Sequence, residues 1–255
     1  MSVAYQHEPD GAAEIVLSRP ERLNALRTED MLRVEELLHR AMSEQARAVL
    51  LRAEGTSFSV GRDLRSFEPD EDIEASLREF NRVVKHLHDA PVPTVAAVQG
   101  HCLGAGAGLA LACDLVLAAD SASFGSPFGK LGAVADCGFH WHLTTRLGPQ
   151  VAKELLLTGR MLSGREAATV GLVARSVNDA DLQTAARELA GQLAHGPTRA
   201  FGDSLAIVER VAEGATFEAA LDLEATAQGR AARSADGAEG TAAFLAKRAP
   251  VFTGR

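Results

Sequence analysis

The stretch 98–114, Val-Gln-Gly-His-Cys-Leu-Gly-Ala-Gly-Ala-Gly-Leu-Ala-Leu-Ala-Cys-Asp, constrains the fold more than any other part of the chain. An apolar strand runs into a tight glycine turn, and a helix of small residues leaves it. Gly104 and Gly106 are spaced as in a dinucleotide fingerprint, but Leu109 stands where its third glycine belongs. The Gly-Lys-Ser/Thr ending of a phosphate loop is also missing. Two uses of these glycines remain open. A glycine turn at a helix start presents backbone N–H groups to an anion. Alternatively, the missing side chains simply let a helix pack closely.

Around this turn, short apolar runs alternate with helical patterns. Residues 14–18, 46–52, 94–98 and 114–118 have strand length and are bounded by charge or turn residues. Between the first two, Met31, Val34, Leu38 and Met42 recur at helical spacing, with Thr28 placed to cap and Glu29 and Asp30 in the first turn. Ile73, Leu77, Phe80, Val84 and Leu87 form a second helical face that ends before Pro91 and Pro93. Strand alternating with helix implies a layered α/β arrangement with crossover connections. After residue 195 only helical patterns remain, at 199–211, 217–230 and 240–248. The expected organisation is a core over 1–195 and a helical extension over 196–255. The extension serves as a lid or oligomer interface, or simply completes the core.

A net charge of −8 offers no cationic face for nucleic acid or an anionic membrane, so an anionic ligand needs locally placed donors. Cys102, Cys113 and Cys137 form neither a CxxC pair nor an even framework, which suits reduced thiols. The start of the chain has no basic, apolar leader, and no run reaches the ~18 apolar residues of a membrane span. A cytoplasmic protein that binds neither membrane nor nucleic acid is expected.

A second small-residue turn, Gly-Thr-Ser-Phe-Ser-Val-Gly-Arg-Asp-Leu at 55–64, follows a strand in the same way. With it a family likeness becomes plain. The segment resembles the Phe-(Ser/Cys)-x-Gly-x-Asp-(Leu/Phe) turn of the crotonase (enoyl-CoA hydratase/isomerase) family, and 98–114 resembles that family's second turn. The resemblance continues through 119–127, 130–132, 155–160, 167–173 and 243–254, and starts at Arg-Pro-Glu-Arg-Leu-Asn-Ala-Leu, 19–26.

The resemblance implies an α/β spiral of ββα units with a helical C-terminal trimerisation region, assembled as a homotrimer or a dimer of trimers. It implies an acyl-CoA substrate, with coenzyme A as part of that substrate and no separate cofactor or metal. The backbone N–H groups of Arg62 and Ala105 match the family's oxyanion hole; for Arg62 only the N–H carries over, and its side chain is expected to be exposed. Coenzyme A contacts are implied around Leu23 and Ala25, and at Lys247, one of only four lysines, either from this chain or a neighbouring subunit. A helix-end lysine in solvent is the plain alternative for Lys247.

The sequence departs from the hydratase pattern at two positions. Hydration needs two positioned carboxyls, yet Gly108 and Phe128 stand where the resemblance places them, with Phe128 left to line the acyl site. Asp136, in Gly-Ala-Val-Ala-Asp-Cys-Gly at 132–138, stands where hydratases typically have glycine. This form resembles dienoyl-CoA isomerases and, more closely, ring-epoxyphenylacetyl-CoA isomerases, in which the aspartate transfers a proton. Phe128 and Val134 would wall it off from water and raise its pKa. Asp136 as the cap of the following helix stays open as well. His140 and His142 fall on different sides of a helix, which suits packing better than a metal site. An isomerase is therefore expected; other crotonase chemistry, such as hydration, and acyl-CoA binding without turnover are the rivals.

Overall fold

The computed structural model describes residues 2–66 and 70–255. The chain opens with a hairpin, β1 (Val3–His7) and β2 (Ala12–Leu17), paired antiparallel. Next come α1 (Thr28–Ser43), β3 (Ala48–Ala53) and α2 (Ile73–His88). Then follow β4 (Thr94–Val98), β5 (His101–Leu103), α3 (Ala105–Leu111), β6 (Leu115–Ala119), β7 (Ser123–Gly125) and α4 (Phe128–Leu131). After them lie α5 (Phe139–Thr158), β8 (Leu162–Ser163), α6 (Gly164–Thr169), β9 (Arg175–Val177) and α7 (Leu182–Ala194). The chain finishes on α8 (Thr198–Ala212), α9 (Phe217–Ala231) and α10 (Ala235–Leu245).

The large sheet runs β1-β2-β3-β4-β6-β9 and is parallel from β2 onward. A small second sheet runs β5-β7-β8. The sequence order explains the architecture. β4, β5 and α3 form one unit, with a strand in the large sheet, a strand in the small one, then a helix. β6, β7 and α4 repeat it. After β3, Ser59 bridges to Cys102 of β5, so an extended piece there joins the second layer before the chain enters α2. The result is a crotonase-like spiral with a helical C-terminal region. β2 and β4 are buried along their whole length; in β4 this leaves the unbroken apolar run 95–98, while β2 carries the buried Glu14, paired with Arg52 and Arg187.

Three expectations change on contact with the structure. Thr28 does not cap α1. Arg27 occupies the cap position, and the Asp30 carboxylate accepts its backbone N–H at 3.0 Å and its Nε at 2.9 Å. On α2 the face expected to be apolar is buried only from Phe80 onward, while Ile73 is exposed, so the start of this helix overhangs the core. The last helix begins at Ala235, where the Ser234 hydroxyl accepts the Gly237 N–H, rather than at 240. Within α5, Gly148 is non-helical and precedes Pro149, which breaks the helix into two pieces. Among the described residues, no helix is long and apolar enough to cross a membrane.

Candidate active site

Two glycine turns from separate spiral units meet beside the start of α3. The strand piece at 59–63 lies between Leu26 on one side and β5 on the other. Leu26 donates its N–H to Gly61 at 2.8 Å, and Asp63 donates to Leu26 at 2.8 Å. On the opposite side Ser59 donates to His101 at 3.0 Å and accepts from Leu103 at 2.9 Å. Backbone groups in a parallel ladder alternate in direction. The Arg62 N–H therefore turns away from Leu26, toward the second turn.

Glycine is required at this junction by space as well as by backbone angle. Gly61 sits at φ 90°, and a Cβ there would come within 2.8 Å of the Leu103 carbonyl oxygen and 3.4 Å of the Ala105 nitrogen. Gly106 presses on Ser59, where an added Cβ would lie 2.6 Å from the side chain. Ala105 opens α3, so its N–H is one of the four that a helix cannot bond internally. The structure thus brings the Arg62 and Ala105 backbones side by side. The sequence feature with two possible uses turns out to serve close packing, and that packing is what juxtaposes the two donors.

One turn further along α3, Gly108 faces the segment that carries Asp136. A Cβ at Gly108 would lie 2.2 Å from the carbonyl oxygen of Cys137 and 2.5 Å from its Cβ. The space a longer side chain would enter is occupied by another part of the chain. The Asp136 carboxylate does not cap α5. Gly138 holds the cap position, no side chain bonds there, and it is the carbonyl of Asp136 that accepts the Phe139 N–H at 3.0 Å. Asp136 Oδ1 is buried and has no hydrogen-bond partner among the described residues. Burial pushes its pKa above the usual aspartate range, opposed by a hydrogen bond from Cys137 and by the charges of Arg62 and His140.

Phe128 is half-buried, with its ring about Gly104: a Cβ there would lie 3.2 Å from two ring carbons. Val134, in contrast, is 77% exposed and does not wall off Asp136; the 129–134 stretch lies on the surface. His140 is exposed, while His142 is buried and kept neutral, its pKa pushed down to about 3 mainly by burial.

The Arg62 side chain differs most from expectation. It is not exposed: only 7% of it is accessible. Its guanidinium bonds Glu71 and, at 2.5 Å, the Ser76 hydroxyl, and lies 5.3 Å from the centre of the Phe80 ring. Sequence motifs assign this position by its backbone, so a buried cation was not legible there. The one available signal was a charged residue in an otherwise small and apolar turn.

Leu23 and Ala25 lie on a loop knitted to the first turn. Leu23 is left-handed at φ 50° and accepts the Val60 N–H at 3.2 Å. The Ala25 N–H donates to Arg22, and its carbonyl accepts from Arg19 at 2.9 Å. Both backbones are thus already engaged internally, leaving only second lone pairs on their carbonyl oxygens for a ligand. Arg19 also reaches Asp63 at 3.1 Å, tying this loop to the turn at 59–63. Lys247 sits apart on the tail, exposed just beyond α10, with φ 53°. A cavity of about 1040 Å³ lies between the tail helices and the core, bordered by His88, Asp114, Glu209 and Arg230; none of the candidate site residues lines it.

The enoyl-CoA hydratase/isomerase family model matches residues 7–255. The 1,2-epoxyphenylacetyl-CoA isomerase of Escherichia coli is 39% identical over the whole of both chains. The probable enoyl-CoA hydratase of Rhodobacter capsulatus is also 39% identical, over 96% of each. Among solved structures, an enoyl-CoA hydratase from Bacillus anthracis superposes over all of both chains with a TM-score of 0.94 at 28% identity. One from Polaromonas sp. JS666 gives 0.93 at 31% identity, over 98% of this chain and 99% of that one.

Proposed function

The chain belongs to the enoyl-CoA hydratase/isomerase family, and from that membership we propose that it is an isomerase, shifting a double bond or rearranging a ring in an acyl-CoA thioester. The observation that carries this reading is the occupied space above Gly108. Where hydration would need a carboxyl, the backbone of Cys137 fills the room, and the same turn carries Asp136. Phe128, at the other carboxyl position, cannot hold a proton. One carboxylate and two backbone donors remain, a set suited to moving a proton rather than adding water.

In this mechanism the thioester carbonyl accepts hydrogen bonds from the N–H groups of Arg62 and Ala105. Those donors strengthen their hold as the oxygen takes on charge. Asp136 removes a proton from a carbon acidified by conjugation with the thioester, leaving an enolate. The same carboxyl then returns the proton to a different carbon, so nothing is gained or lost overall. The Phe128 ring beside the oxyanion turn keeps that end of the site apolar. The coenzyme A moiety would pass the Leu23 to Ala25 loop, with Lys247 available to its phosphates as a point charge.

The test is a panel of enoyl-CoA thioesters with products resolved by mass and chromatography. Isomerisation leaves the mass unchanged and moves retention; hydration adds one water. Crotonyl-CoA should be hydrated far more slowly than the ~10 s⁻¹ of an ordinary enzyme. Each missing acid–base group removes a factor of ~10²–10⁴. Hydration at ordinary enzymatic rates would refute the isomerase reading.

We also propose a homotrimer or a dimer of trimers. Phe217, Leu221, Phe244 and Leu245 stand exposed on the tail helices, a density of large apolar side chains that association would bury. Sedimentation should give a species of three or six chains. A stable monomer at micromolar concentration would contradict it.

A further inference from the structure

α3 is a helix of small residues, Ala-Gly-Ala-Gly-Leu-Ala-Leu, so it has few side chains with which to fix its own position. Its place is set by backbone contacts instead. Gly106 presses on Ser59, Gly108 presses on Cys137, and the last carbonyl, that of Leu111, accepts the Arg146 Nη2 at 2.7 Å. That carbonyl is one of those a helix end leaves without an internal partner, and a cation there also suits the helix dipole. Nη1 of the same guanidinium donates to the Leu172 carbonyl at 3.0 Å, in the turn between α6 and β9. Arg146 is half-buried, and both bonds go to the main chain rather than to a carboxylate. It lies about two turns into α5, on the side that carries the buried Phe139 and Leu143. α5 itself begins directly after the Asp136-Cys137-Gly138 turn.

We propose that Arg146 is a positioning residue for the reaction: by holding the last carbonyl of α3, it fixes the helix that begins at Ala105 against the helix that begins just after Asp136. The idea rests on the reading in which the Ala105 N–H holds the thioester oxygen and Asp136 moves the proton. α3 meets the unit that carries Asp136 at two levels. Gly108 touches Cys137 by bare contact, which stops the two segments from approaching but does not stop them from parting or tilting. The Arg146 bond, at Leu111, supplies both the pull and the angle, since hydrogen bonds weaken steeply away from their preferred geometry. Gly148 breaks α5 shortly beyond Arg146, so the piece that makes this bond is the piece led in by Asp136. Without the bond α3 is free to tilt about Gly108, and a tilt moves the Ala105 N–H at its far end relative to the base.

The experiment reads the oxyanion donors directly, through the infrared stretch of a ¹³C-labelled thioester carbonyl in a saturated acyl-CoA bound to the full-length chain. Hydrogen bonds to that oxygen lower its frequency, so the parent band should lie below that of the free thioester. In Arg146→Met the band should move back toward the free value. Its kcat for isomerisation should fall ~10–10²-fold, as a misplacement of up to about 1 Å entails. KM should stay near that of the parent, because Arg146 bonds only protein carbonyls. Arg146→Lys keeps the charge but replaces the fork with a point donor, so its band and kcat should fall between those of the parent and Arg146→Met. Arg47→Met is the control for lost stability. Arg47 bridges the Gly196 and Phe252 carbonyls, at 2.5 and 3.0 Å, so its loss should lower Tm and leave band and kcat at parent values. All are compared at a temperature at which each is folded. A folded Arg146→Met with the parent band or the parent kcat overturns the proposal, as does an equal change in Arg47→Met. Should Arg146→Met not fold, Arg146→Lys decides alone by the same two readings. A parent band at the free frequency would remove the oxyanion reading and this proposal with it, whereas a lowered parent band that neither Arg146 variant moves removes Arg146 only.

Discussion

Replacing Asp136 with Asn should abolish most isomerisation while leaving the fold intact. The carboxylate makes no cap bond to α5, so the amide loses no helix contact there. Its buried Oδ1 has no partner among the described residues, so the site gives up little hydrogen bonding. What disappears is the ability to accept a proton, worth at least ~10²-fold in kcat. Exchange of substrate protons with heavy water should fall by the same factor, because it reports the abstraction step alone. Acyl-CoA binding and thermal stability should stay near those of the parent. In the parent, burial holds the Asp136 pKa above the usual aspartate range, and the proposed base has to be ionised to accept a proton. Activity is therefore lost as pH falls through that raised value, and the acid limb should lie above the ordinary aspartate titration. A folded Asp136→Asn protein with unchanged turnover and exchange would remove this residue from the mechanism.

Gly108→Glu should fail to create a hydratase and should damage the enzyme instead. The new Cβ would sit 2.2 Å from the Cys137 carbonyl oxygen, so the turn at 136–137 must retreat. Overpacking of this kind costs ~1–3 kcal/mol. In a chain of this size each kcal/mol lowers Tm by roughly 2–4 °C. Isomerisation should fall as well, because a base displaced by about 1 Å loses on the order of 10²-fold. Calorimetry and product analysis check both parts. A Gly108→Glu protein that melts like the parent and hydrates crotonyl-CoA would show that the two carboxyl positions are compatible.

The sequence made some of this legible and hid the rest for identifiable reasons. β4 over 94–98 and the two long amphipathic helices were readable because continuous burial and a helical stripe leave strong patterns. The strands of the second sheet, two or three residues long, leave no pattern that survives chance. Ordered motifs pointed to the Arg62 and Ala105 backbones, whose meeting depends on glycines that a motif records. The Arg62 side chain was misjudged because burial is a property of the neighbours, and its neighbours Ser76 and Phe80 belong to a different element. The pressure of Cys137 on Gly108 was equally invisible. A glycine written in a sequence shows that a side chain is missing, not what took its place.

The way the site is stitched together also bears on how the protein must fold. Ser59 bonds the Asn24 carbonyl across 35 residues, and Arg19 reaches Asp63 across 44. Cys137, the neighbour of Asp136, and Gly108, against which it packs, come from different spiral turns. None of these contacts can form within a short segment, and each carries the loop-closure entropy of a long chain excursion. Such non-local topologies fold slowly. Arg62, Ala105 and Asp136 consequently have no local nucleus, so they come together only with the spiral itself. Recovered activity after denaturation is then a reading of complete tertiary assembly, which a recovered helix signal is not.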